Sequence, residues 1–188
     1  KNLLIYKADT ETLALNDVFN GEFDEFSWEV LDLSQDNDLI QDSKLLKNLT
    51  IEKLQENNNS IKVQIPKDTL VKKSVSQNLI SELTNYTWEI LAPQELSKTW
   101  LEENNLEADY AFQVWNSEDK IVFQDEKWWD SFIKISVELD PNNFSPDQKV
   151  WIKSSNDHST WDQLWVYTVQ QKLEDKKETL FVEFFVNH

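Results

Sequence analysis

Trp128-Trp129, Trp151, Trp161 and Trp165 fall within one stretch of the C-terminal half, with Asp157 and His158 between them. Flat apolar ring faces set beside hydrogen-bonding Asp, Asn and Gln are the chemistry that stacks and orients a sugar ring. Trp161-Asp162-Gln163 and Asn156-Asp157-His158 would supply the polar groups. The candidate binding set is therefore Trp128, Trp129, Trp151, Trp161, Trp165, Asp157 and His158. The plainer account is a core that uses Trp because Met and Cys are absent. A third account is a protein–protein hot spot, where Trp is enriched. The sugar reading requires some of the five tryptophans to be exposed, and burial of all five would remove it.

Carboxylates offer two further arrangements. Glu29 and Glu89 follow Trp28 and Trp88 in a repeated segment, and a symmetric pair of acids could serve as an acid/base dyad. Solvated strand residues are the plainer account. Asp32, Asp36, Asp38 and Asp42 lie close together. Their spacing lacks the central Gly and closing Glu of the twelve-residue calcium loop, so they read as a helix N-terminus rather than a metal site.

The catalytic inventory is thin. His158 is the only interior histidine, and a lone His in a turn between acids is ordinary surface chemistry. The chain has no G-x-S-x-G elbow, no glycine-rich phosphate loop and no histidine pair for zinc. These absences argue against most common enzyme classes but not against a carboxylate-based glycosidase. No cofactor is implied.

Composition bounds the partners. The 188 residues carry a formal charge of −17, from 18 cations and 35 acids, and every cation is Lys. Residues 1–108 hold 10 Lys and 20 acids, and residues 109–188 hold 8 Lys and 15 acids, so the excess belongs to both halves. Direct nucleic-acid binding is disfavoured, because phosphate contacts need basic patches. Anionic membrane surfaces are disfavoured for the same reason. No apolar run reaches the ~18 residues a membrane helix needs, and no signal-peptide pattern is present. The absence of Cys fits a reducing cytosol, and fits a bacterial surface protein as well. The first expectation is an acidic, non-enzymatic interaction protein for a basic partner, of inhibitor, immunity or adaptor type. The alternative is a carbohydrate-binding β module using exposed tryptophans.

The elements that must position these residues begin with a repeat. Phe26-Ser27-Trp28-Glu29-Val30-Leu31 returns as Tyr86-Thr87-Trp88-Glu89-Ile90-Leu91, 60 residues on without a gap. The register extends upstream through Leu3/Val63, Ile5/Ile65, Leu15/Val75 and Phe19/Leu79. Each copy opens on an apolar strand, at Leu3–Tyr6 and at Ile61–Ile65. Leu15, Phe19 and Phe23, and then Val71, Val75, Leu79 and Leu83, recur at helical spacing, and each copy closes on a strand. Two tandem β-α-β units follow, with a helix after Asp36-Asn37-Asp38 and a last one from Pro93 to about Asn104.

Beyond Glu107 the period becomes two. Tyr110–Val114 and Ile121–Phe123 read as a hairpin, followed by strands at 131–139, 150–153, 164–169 and 180–186. The expected fold class is α+β: a duplicated α/β region over 1–106 and an antiparallel β region over 107–188, with one continuous α+β domain as the variant.

Overall fold

Alternation of buried and exposed residues governs most of this chain, as in the Ser60–Ile65 strand, where Ile61, Val63 and Ile65 are buried and Lys62 and Gln64 between them are half-exposed. A computed structural model describes residues 2–8, 24–26, 30–32, 40–41, 44–55, 59–75, 78–80, 89–91, 93–114, 120–124, 133–155 and 161–186. In chain order the first strands are β1 (Asn2–Lys7), β2 (Asp24–Phe26), β3 (Val30–Asp32), β4 (Ile40–Gln41), β5 (Lys44–Leu45) and β6 (Leu49–Leu54). Next come β7 (Ser60–Ile65), β8 (Leu70–Val75), β9 (Asn78–Ile80), β10 (Glu89–Leu91), β11 (Gln94–Glu95) and the helix α1 (Lys98–Glu103). The chain continues through β12 (Tyr110–Gln113), β13 (Lys120–Gln124), β14 (Ile133–Leu139), β15 (Lys149–Ser155), β16 (Asp162–Thr168), β17 (Gln170–Glu174) and β18 (Lys177–Val186).

Two sheets enclose one core. The first has the strand order β11-β12-β1-β15-β16 and the second the order β17-β18-β14-β7-β6-β2. All neighbours are antiparallel except β2 and β6, which run parallel. Leu3, Ile5, Phe112, Val150 and Ile152 face inward from the first sheet, and Val63, Ile135, Val182 and Phe184 from the second. Phe184 touches both Phe112, at 6.3 Å between ring centroids, and Tyr167, at 5.9 Å. Phe112 and Phe184 are fully buried, and each such ring stabilises the fold by about 2–3 kcal/mol relative to exposure. This is face-to-face sandwich packing. Both sheets contain strands from residues 1–106 and from 107–188, interleaved in the first and side by side in the second.

The repeat has a structural counterpart. β1 and β7, the opening strands of the two copies, occupy interior positions in opposite sheets. β1 lies between β12 and β15, and β7 between β6 and β14. At the other end of the repeat, β3 pairs with β10, Val30 opposite Leu91 and Leu31 opposite Ile90. Exchanging each residue for its counterpart 60 positions away converts one pair into the other. β3 and β10 thus meet about the local two-fold of their antiparallel pair.

The α+β expectation with β-α-β units is overturned, because the described residues are nearly all antiparallel strand and hold a single six-residue helix. The stretch carrying Val71, Val75 and Leu79 is a hairpin of β8 and β9, with Val75 opposite Asn78. A spacing of four keeps Val71 and Val75 on one face of a strand as well as of a helix, and both are β-branched. The helix expected after Asp36 is replaced by the β4–β5 hairpin and β6. The expected 110–123 hairpin does not form: β12 joins the first sheet, while β13 pairs with β8 in a separate small sheet. The matching helix of the first copy lies outside the described residues.

The last expected helix exists but is shorter. Ser97 caps α1, its Oγ accepting from the Trp100 N–H at 3.1 Å. The helix stops at Asn104, and Asn105 turns left-handed at φ 54°. Six residues cannot hold a helix alone in water. Leu101 anchors it by packing with Leu4 and Ala111 on the outside of the first sheet.

Candidate functional site

Two residues of β1 and two of β15 define the outer face of the five-stranded sheet. Leu3 and Ile5 enter the core, so Leu4 and Tyr6 face outward. Val150 and Ile152 enter the core, so Trp151 and Lys153 face outward. The ladder sets Tyr6 opposite Trp151 and Leu4 opposite Lys153. Tyr6, Trp151 and Lys153 are all half-buried. The Lys153 ammonium lies 5.3 Å from the centroid of the Tyr6 ring. That is cation–π range.

Around this centre lies a second apolar cluster. Leu4, Ala111 and Leu101 are its buried members, and Tyr6, Trp100 and Trp161 pack against it half-exposed. Burial raises the Tyr6 phenol above its ordinary pKa of 10.0, and the nearby Asp109 and Glu107 carboxylates push it further the same way. Asp109 is itself tied down: its Oδ2 accepts from the Lys7 N–H at 2.8 Å, and its Oδ1 lies 4.0 Å from the Lys7 ammonium.

Trp165 reaches solvent by a different device. The β15–β16 ladder slips between Trp151/Val166 and Lys153/Gln163, so that Leu164 and Trp165 together oppose Ile152. A bulge of this kind re-aims side chains, and Trp165 is 71% exposed. It is one of three large hydrophobic residues exposed among those described, with Leu54 and Leu173.

The outer face of the other sheet is built from ion pairs. Lys134 Nζ meets Glu183 Oε2 at 3.0 Å, and the Ser136 hydroxyl donates to Glu183 Oε1 at 3.3 Å. Lys62 Nζ lies 3.5 Å from Glu52 Oε2. The Ser60 N–H donates to Glu138 Oε2 at 3.0 Å.

Of the residues expected to bind, Trp151, Trp161 and Trp165 belong to the same sheet or its rim, with Trp165 exposed and the other two half-buried. Trp128, Trp129, Asp157 and His158 lie outside the described residues, as do Trp28, Trp88 and Glu29. Glu89 stands opposite Asp32 in the β3–β10 ladder. Among the described residues no group of three or more His, Cys, Asp or Glu could hold a metal ion, and no helix is long and apolar enough to cross a membrane. Tyr6, Lys153 and Trp100 were not apparent as site residues in the sequence. Period-two alternation through Leu4/Tyr6 and Trp151/Lys153 is the signal that places the first two on one face. Compared with protein-family models, curated proteins and solved structures, the chain matches none of them.

Proposed function

We propose that this protein is a non-enzymatic binding module that takes carbohydrate on the outer face of its five-stranded sheet. The observation that carries the reading is the register of Tyr6 with Trp151, both half-exposed on that face. Gln113, also half-exposed, lies on the same face by register and offers an amide to sugar hydroxyls. Aromatic stacking with a few fixed hydrogen bonds is enough for a shallow sugar site. Titration of intrinsic Trp fluorescence with a panel of soluble polysaccharides tests the reading. A saturable change that Trp151→Ala weakens about tenfold or more supports it. A flat response to the whole panel overturns it.

A second reading keeps the acidity at the centre: an inhibitor, immunity or adaptor-type protein for a basic partner. Glu102 and Glu103 at the end of α1, with Glu107 and Asp109 before β12, form an exposed acidic run that favours it. Attraction between such acids and a basic surface is screened by salt. A stoichiometric basic protein retained from source lysate at low salt and lost at high salt supports this reading, and its absence at low salt counts against it.

A further inference from the structure

The charge of the five-stranded face departs from that of the chain. By ladder register the outward positions of β1, β12 and β15 include Lys149 and Lys153 and no Asp or Glu. The chain as a whole has almost two acids per lysine. Lys149 and Lys153 stand two residues to either side of Trp151, which puts all three on one face. Glu107 and Asp109 act on Tyr6 from the rim of this face, and Asp109 is engaged by Lys7. Among the described residues no ion pair joins Lys153 to a carboxylate, whereas Lys7, Lys44, Lys62, Lys98, Lys134 and Lys172 each have one. The Lys153 ammonium instead rests over the Tyr6 ring.

We propose that this face selects acidic polysaccharide, a polymer of uronic acid, with Trp151 stacking a sugar ring and Lys153 taking its carboxylate. Tyr6 is the positioning residue, holding the ammonium above the sheet beside Trp151 rather than out in solvent. Adjacent strands are about 4.8 Å apart. A ring stacked on Trp151 therefore brings its carboxylate within reach of a lysine held over the neighbouring strand. The charge of −17 opposes a polyanion at long range, but screening over about 8 Å at physiological salt leaves the local lysines in control. A charge-assisted hydrogen bond between ammonium and carboxylate is stronger than the neutral bond a plain hydroxyl would make.

The inference rests on the carbohydrate reading, and the experiment separates the two. Polygalacturonate and a neutral β-glucan of similar length are titrated against the whole protein, its Lys153→Gln and Lys153→Arg variants, and Trp151→Ala. The expected result is a preference for polygalacturonate of about tenfold. Lys153→Gln abolishes that preference and leaves neutral binding intact, Lys153→Arg retains it, and Trp151→Ala weakens both ligands. Equal affinity for the two polymers, or a preference unmoved in Lys153→Gln, overturns the inference and leaves the sugar reading standing. Failure to bind either polymer overturns both.

Discussion

Lys134 Nζ and Glu183 Oε2 sit 3.0 Å apart across the β14–β18 ladder, with the lysine side chain only 10% exposed and the glutamate 23%. A pair this enclosed is costly to break from one side, because the remaining charge keeps its desolvation penalty without its partner.

Glu183→Ala is therefore expected to destabilise the protein by roughly 2–3 kcal/mol, near the low end for enclosed pairs because the glutamate retains some water. Lys134→Met with Glu183→Leu is expected to recover most of that loss. Urea unfolding of the two variants checks both statements. A double variant as unstable as the single one would show that the pair contributes more than charge neutralisation.

Tyr110 packs against the core with its hydroxyl buried and without a hydrogen-bond partner. Burial, and then the Glu95 carboxylate, raise its phenol pKa well above 10.0. Removing an unsatisfied buried hydroxyl relieves a penalty. Tyr110→Phe should thus be neutral or stabilising by a few tenths of a kcal/mol up to about 1 kcal/mol in thermal unfolding.

Tyr110 and Tyr6 together set a pH dependence. Both have folded pKa values above the ordinary 10.0, so the folded state holds their protons more tightly than the unfolded state. Their contribution is fully present below pH 10.0 and is lost as the pH rises above it. Unfolding free energy measured from pH 8 to about 11 should fall at the alkaline end, and less steeply in Tyr110→Phe. An unchanged alkaline slope in that variant would assign the loss to other groups.

The β17–β18 hairpin turns through Asp175 and Lys176, both at positive φ, 48° and 65°. Two left-handed residues in a two-residue loop make the turn type that prefers an Asn-Gly pair. Neither Asp nor Lys is the best choice there, and Asp175→Asn combined with Lys176→Gly should raise stability by about 1 kcal/mol. Thermal unfolding of the double variant reads this directly.

At the centre of the sandwich, Phe184 touches both Phe112 and Tyr167 from the opposite sheet. Phe184→Ala should cost about 3–5 kcal/mol and Phe184→Leu considerably less. A small loss in the alanine variant, measured in urea, would mean that the two sheets close up over the gap.

The legible parts of the sequence were those where one physical signal stood alone. β7 and β14 alternate apolar and polar residues with nothing competing, and their positions follow directly. The 60-residue repeat is plain in the sequence, but the β-α-β unit it suggested is not the structure: its opening strands β1 and β7 lie in different sheets. What misled was spacing by four. Val71 and Val75 satisfy both a helix and a strand, and only their β-branching tips the balance. β17 carried no apolar alternation, being exposed along nearly its whole length, and its turn lacks Gly and Asn. At the site, Trp151 announced itself by type. Tyr6 and Lys153 did not, because their importance comes from being cross-strand neighbours of Trp151 and Leu4, which no local window contains.

β1 has a consequence for how the chain is made. Its ladder partners are β12 and β15, so Ile5 waits for Tyr110 on one side and Ile152 on the other. At a synthesis rate of about 5–20 residues per second, the nascent chain presents Leu3, Leu4 and Ile5 for roughly 5–20 s before Tyr110 is made and roughly 7–30 s before Ile152 is. Among the described strands, this apolar one thus waits longest for its partners during translation, although it ends inside a sheet.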